Sequence, residues 1–201
     1  TTPLTGAITA THATYGGGVT GAVSVLGVVL SVESAANGNG ASVGARVLTP
    51  GDNVTLFAVA RTTAGAFVQN ASATWSVSNG AGTLSATNGT ATTLTASAPG
   101  AEVVGKVTAV HAAFGQASSG NLTVRPNVVS IETLPNGAGV PLAAQTIVAG
   151  QRVTAYAVER THTGAYVNNR SATWTLTNGA LGSLSTTSGS STQLSAGVSS
   201  M

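Results

Sequence analysis

The stretch Ser72-Ala73-Thr74-Trp75-Ser76-Val77-Ser78-Asn79-Gly80 returns as Ser171-Ala172-Thr173-Trp174-Thr175-Leu176-Thr177-Asn178-Gly179. Trp75 and Trp174 stand 99 positions apart, and the same offset pairs His12 with His111, Glu33 with Glu132, Gly51 with Gly150 and Arg61 with Arg160. One residue, Leu181, is inserted after this stretch, so that Leu84 then pairs with Leu184 and Leu94 with Leu194. A period of this length is too long for a solenoid unit and matches a small β-sandwich of about 100 residues.

The repeat is out of phase with the chain. Residues 1–27 match 100–126, which close a repeat. Residues 28–126 then read as a complete domain, and residues 127–201 as a domain lacking its last two strands. The absent piece is of the kind found at 1–27. The chain begins with Thr1 and not Met, as a processed, exported chain does and as a fragment does, so both readings stay open.

Alternation fixes the element type. Leu4, Gly6, Ile8, Ala10 and His12 share one parity, Tyr15-Gly16-Gly17-Gly18 supplies a turn, and Val19, Gly21, Val23 and Val25 continue on one face. The segment reads as a hairpin, and two strands alone are marginal in water. Ala73, Trp75 and Val77 alternate with Thr74, Ser76 and Ser78 and make Trp75 and Trp174 the expected core anchors. Asn37-Gly38, Pro50-Gly51, Asn79-Gly80 and Asn88-Gly89 punctuate the chain as turns. No segment sustains a helical period, which predicts an all-β chain of tandem sandwiches.

The pattern Gly51-Asp52-Asn53-Val54-Thr55, Ala73-Thr74-Trp75-Ser76-Val77, Gly82-Thr83-Leu84-Ser85, Thr108-Ala109-Val110 and a closing Leu122-Thr123-Val124 resembles the bacterial Ig-like domains of invasin- and intimin-type surface proteins. The resemblance covers the chain twice over. It implies a seven-stranded sandwich used outside the cell as a spacer, stalk or binder. Fold does not by itself imply function.

Composition narrows the chemistry. Charged residues make up 6% of the chain, against an ordinary share of about 25%. The surface is therefore mostly Thr, Ser, Asn and Gly, with little charge to oppose self-association. The net charge of +2 rests on Lys106 and six scattered arginines, with no basic run for nucleic acid. There is no cysteine, hence no disulfide or thiolate metal site, and no apolar run reaches a membrane span.

No catalytic, metal-binding or cofactor-binding residue is expected. A nucleophile needs a histidine and a carboxylate beside it, and Asp52, the sole aspartate, sits in a tight turn. His12 and His111 lack companions at ligand spacing and read as buried histidines bonded to backbone. His162 matches Thr63 and stands outside the repeat design. No carboxylate cluster suits calcium. Glu33 with Arg61 and Glu132 with Arg160 read as an ion pair repeated at a strand edge. Lys106, the one lysine, has Ala7 as its counterpart, which speaks against a repeated isopeptide cross-link. Asn53, Asn70, Asn88, Asn121 and Asn169 lie in glycosylation sequons, of which a chain this rich in Asn, Ser and Thr holds several by chance. Phe67 and Tyr166 fall in equivalent loops and are expected to cover the end of the core, their exposure being what a carbohydrate-binding module would need.

A sandwich without its closing strands exposes a groove and unpaired edges, and such edges recruit strands. The expected assembly interface is Leu4, Ile8, Ala10, His12, Val19, Val23 and Val25, seated in the incomplete domain of a neighbouring copy by donor-strand complementation. Such a contact is head-to-tail and propagates as a filament unless it closes a ring. Burying its large apolar residues contributes on the order of 10 kcal/mol before entropy costs. The expected role is thus a structural subunit of an extracellular filament, with itself as partner. The alternatives are a stalk or adhesin segment of a longer tandem array that binds a host or surface receptor, and a carbohydrate-binding module. None of these is an enzyme.

Overall fold

The computed structural model describes residues 3–197; residues 1, 2 and 198–201, the ends of the expected segments 1–27 and 127–201, lie outside the described residues. The chain is all-β, with a single 3-10 turn at Gly179–Leu181 and no α-helix among the described residues. It divides into two compact units, Thr1–Val124 and Arg125–Met201. The boundary expected after residue 126 thus falls after Val124, and residues 1–27, expected as a segment of their own, group with the first unit. The base of the hairpin accounts for this grouping: Leu4, Val25 and Leu26 line one shallow hollow with Val28 and Phe114.

The first unit opens with β1 (Leu4–Gly6), β2 (Thr9–His12), β3 (Gly16–Val19) and β4 (Val23–Val25). These form a hairpin in two storeys. β1 pairs with β4, Leu4 opposite Val25, and β2 pairs with β3, Thr9 opposite Val19. Ile8 and Thr20 join the storeys through backbone and side-chain hydrogen bonds of 2.9 Å each. Among the described residues no other strand pairs with this hairpin, and every residue of its four strands is exposed.

The body of the unit holds β5 (Val28–Glu33), β6 (Arg46–Leu48), β7 (Asn53–Thr62), β8 (Phe67–Asn70), β9 (Ala73–Val77), β10 (Gly82–Leu84), β11 (Asn88–Gly89) and β12 (Ala91–Ala96). It closes with β13 (Val103–Gly105), β14 (Val107–His111), β15 (Gly115–Ser118) and β16 (Leu122–Val124). One sheet runs β10-β12-β7-β5 with β8 also on β7, a second runs β11-β9-β14-β15, and a third runs β13-β16-β6. Their inward residues form one core, with Leu56, Leu94, Val107, Ala109, Leu122 and Val124 fully buried around Trp75. The indole Nε1 of Trp75 donates to Gly89 O at 2.9 Å, so the buried ring keeps its one polar group satisfied.

The second unit holds β17 (Val128–Glu132), β18 (Arg152–Arg160), β19 (Tyr166–Asn169), β20 (Ala172–Thr173), β21 (Gly182–Leu184), β22 (Ser188–Gly189) and β23 (Ser191–Ala196). Its larger sheet, β17-β18-β23-β21 with β19 on β18, copies that of the first unit strand for strand. Its other sheet is reduced to β20 with β22. β20 covers two residues where β9 covers five. Residues 145–147, the counterparts of β6, form no strand. Both losses have one cause: β9 pairs with β14 and β6 with β16, and residues 125–197 contain no counterpart of β13–β16.

Candidate assembly interface

The four strands β13–β16 and the four strands β1–β4 are the same structure 99 residues apart. Val103 opposite Val124 repeats Leu4 opposite Val25, and Thr108 opposite Ser118 repeats Thr9 opposite Val19. Their surroundings differ. Val107, Ala109, Leu122 and Val124 are 0% exposed. At the equivalent places Ile8 is 66% exposed, Val23 43% and Val25 62%, and Ala10 is exposed as well.

Two glycines carry the same contrast. A Cβ at Gly105 would stand 2.5 Å from Ser78 O, and one at Gly120 would overlap the Ala45 backbone, so glycine is required at both places by close approach. Their counterparts Gly6 and Gly21 have nothing within 4 Å. The hairpin keeps the shape of a part that fits into a sandwich, with no sandwich around it.

The second unit has the complementary gap. A cavity of about 400 Å³ is lined by Ile131, Leu142, Ile147, Trp174, Leu176 and Leu194 among others. The matching residues of the first unit, Val32, Val43, Leu48, Trp75, Val77 and Leu94, pack against Val107, Ala109, Leu122 and Val124. Beside the cavity, Val129 is 58% exposed and Ile131 51%, where Leu30 and Val32 are 7% and 2%. In the first unit Leu30 is covered where its N–H donates to Phe114 O at 3.1 Å, beside β15. Trp174 keeps its Nε1 bond to Gly189 O and is 8% exposed, against 2% for Trp75.

Two members of the expected interface need correction. Val19 matches Ser118, an exposed residue on the outer face of β15, so it lies on the outer face of the hairpin. His12 and His111 are not buried. His111 Nδ1 accepts from the N–H groups of Ala113 and Phe114 at 3.1 and 3.3 Å, and His12 does the same with Thr14 and Tyr15. Each ring caps its turn and stacks on the following aromatic, His12 on Tyr15 and His111 on Phe114. Strand parity points these histidines inward, but both sit at the open end of the strand, where the turn's unpaired N–H groups are the nearer partners.

The repeated ion pairs are also more enclosed than a strand edge suggests. Glu33 and Glu132 are buried. Arg61 reaches Glu33 with Nε at 2.6 Å and Nη2 at 2.8 Å, and Arg160 reaches Glu132 in the same bidentate way. Each arginine also donates to loop carbonyls, Arg61 to Gly38, Gly40 and Gly65. The arginine hydrogen bonds hold both carboxyls below the usual glutamate range, against the opposing effect of burial, and raise the arginines in turn.

A third pair, Arg170 with Glu159 at 2.5 Å, escaped the sequence reading. Asn127 Nδ2 donates to the other oxygen of Glu159 at 2.9 Å, and Arg170 first and Asn127 second lower that carboxyl. The counterparts of Asn127, Glu159 and Arg170 are Val28, Ala60 and Ala71. The signal was three polar departures from the repeat, at positions far apart in the chain that the fold brings together.

Of the sequon asparagines, Asn70 and Asn169 are tied into reciprocal amide pairs with Asn37 and Asn136, which leaves their nitrogens engaged. Asn53 Oδ1 accepts from Thr95 and Asn88 Oδ1 from Thr74, and Asn121 is exposed. Phe67 and Tyr166 lie against the Gly38 and Gly137 turns and are partly exposed. Among the described residues no three His, Cys, Asp or Glu gather as a metal site, and no helix is long and apolar enough to cross a membrane.

No protein-family model matches the chain, and no curated protein matches it. Among solved structures the chain is similar to domains 4–9 of the surface layer protein SbsC, at 14% identity and a TM-score of 0.34. That match covers 92% of this chain and 30% of the other, so the chain spans about a third of the length of that structure.

Proposed function

We propose that the protein is a structural subunit of an extracellular surface assembly. Residues 4–25 of one copy seat in the open groove of residues 125–197 of another, and repetition of this contact builds a filament. The observation that supports it is the hairpin itself: four strands in the register of β13–β16, with Ile8, Ala10, Val23 and Val25 uncovered and Gly6 and Gly21 uncrowded. The match concerns residues 4–25 and 125–197 as they stand, whatever precedes or follows them. With Val19 on the outer face, the seat rests on Leu4, Ile8, Ala10, Val23 and Val25, together with the backbone edges left by β20 and residues 145–147. The reading carries no reaction, and its partner is a second copy of the chain.

A second reading has its own observation. Residues 103–124 close the first unit within one chain, so in a longer array a following hairpin closes the second unit in the same way. The protein is then a stalk segment of an Ig-like surface protein.

Light scattering on the purified 201-residue chain, with grids from the same sample, separates the two. Linear species of high mass are expected. A monomer at all concentrations overturns donation between copies and leaves the stalk.

A further inference from the structure

The hairpin and the groove depart from the repeat together, and this inference rests on the donation proposed above. In the first unit Phe114 follows the turn cap His111, packs against the core and lines a hollow with Val28. Its neighbours there are apolar: Leu30, whose N–H bonds Phe114 O, faces Ala60 across the sheet. In the free hairpin the equivalent residue is Tyr15, 86% exposed and stacked on His12. In the second unit the residues at the places of Val28, Ala60 and Ala71 are Asn127, Glu159 and Arg170. Val28, the apolar floor beside Phe114, has thus become the polar Asn127, bonded to Glu159 of the Glu159–Arg170 pair.

That floor has one vacancy. Glu159 accepts from Arg170 and Asn127 through its two oxygens, so its acceptors are engaged. Asn127 Nδ2 is used on Glu159, and Asn127 Oδ1 is buried with no hydrogen-bond partner. A buried acceptor left unpaired costs free energy that a donor arriving with a partner recovers. The hairpin of the first unit, ending in a phenylalanine, has no donor to offer. The free hairpin has a phenol.

We propose that Tyr15 is the residue that fits this hairpin to the second unit of another copy. With β1–β4 in the register of β13–β16, the N–H of Val129 bonds Tyr15 O as Leu30 bonds Phe114 O. The phenol ring then lies where Phe114 lies, beside Asn127, and its hydroxyl donates to Asn127 Oδ1. The pairing is selective as well as adhesive: a hairpin ending in Tyr matches the polar floor of the second unit, and one ending in Phe matches the apolar floor of the first. Specificity of this kind follows from leaving a buried polar group unpaired with the wrong partner.

The test uses the full chain and its Tyr15→Phe, Asn127→Val and doubly substituted forms, with the concentration at half-assembly read by light scattering. Tyr15 is exposed in the free chain, so Tyr15→Phe leaves the fold intact. Its half-assembly concentration is expected to rise roughly three- to tenfold, as for one neutral hydrogen bond. The doubly substituted chain is expected to assemble no worse than Tyr15→Phe alone, because the unpaired oxygen has gone with its donor. Assembly of Tyr15→Phe at the wild-type concentration overturns the role of Tyr15 while leaving donation intact, and so do penalties that add independently. A wild-type chain that stays monomeric overturns both together.

Discussion

Residues 28–124 and residues 125–197 are built on one pattern and reach different ends. The larger sheets share one strand order, the ion pairs Glu33–Arg61 and Glu132–Arg160 recur with the same bidentate geometry, and both indoles bond a glycine carbonyl. Yet Leu30 and Val32 are buried where Val129 and Ile131 are open, and a five-residue strand around Trp75 shrinks to two residues before Trp174. The difference in strand order and exposure follows the presence or absence of β13–β16, while the larger sheet itself departs from the repeat at Glu159, bonded to Asn127 and Arg170. A sandwich core of this kind is therefore separable: one sheet and the tryptophan stand by themselves, while the order of the opposite strands is borrowed from the closing hairpin. The free hairpin at residues 4–25 shows that the borrowed part also keeps its own register without a host.

The comparison breaks first at the tryptophans. Trp75→Ala is expected to cost about 3–5 kcal/mol in denaturant unfolding, as for a fully packed aromatic. Trp174→Ala is expected to cost clearly less in dilute, unassembled chain, because its groove is open on one side, and to approach the Trp75 value once the chain assembles. Equal losses in the dilute chain would show that the second core is already closed.

Acid separates the units more gently. Glu33 in the first unit and Glu132 and Glu159 in the second have carboxyls lowered chiefly by their arginine hydrogen bonds. A carboxyl lowered in the folded state stabilises the fold at pH above the unfolded glutamate range, and that contribution disappears as pH falls through the lowered folded values. With two such groups, the second unit is expected to lose more stability than the first as pH is taken down through that window. Melting curves of Trp75→Phe and Trp174→Phe chains, each leaving one tryptophan as reporter, measure the two transitions. A parallel decline would remove Glu159 as a contributor.

Much of this was legible in the residues. The alternation around Trp75 and Trp174 set both core anchors, and the offset of 99 set the hairpin against its packed counterpart. The equivalence of Ile8, Ala10, Val23 and Val25 with Val107, Ala109, Leu122 and Val124 was legible in that offset. Val19 was misplaced because alternation alone cannot tell an outer valine from an inner one, although its match with Ser118 marks the outer face. The histidines were misplaced because parity says nothing about a turn whose N–H groups compete for the ring. The Asn127, Glu159 and Arg170 cluster was written as departures from the repeat, and a reading that seeks likeness passes over departures. The division of the closing strands into two storeys leaves no local signal, since it depends on β13 pairing with β16 across sixteen or more intervening residues.

The most direct test of the account is a disulfide trap. The chain has no cysteine, so two can be placed freely. Thr108 faces Ser76 in the first unit, which puts Thr9 of one copy opposite Thr175 of another. Antiparallel partners lie about 4.5–5.5 Å apart at Cα, within disulfide range. Chains carrying Thr9→Cys and Thr175→Cys, oxidised at assembling concentration, are expected to give a ladder of covalent dimers, trimers and higher species on a non-reducing gel. Chains carrying Thr9→Cys and Thr173→Cys, two residues out of register, are expected to give far less. A monomer band alone, or equal ladders from both pairs, would contradict the seating of residues 4–25 in the groove of a second copy.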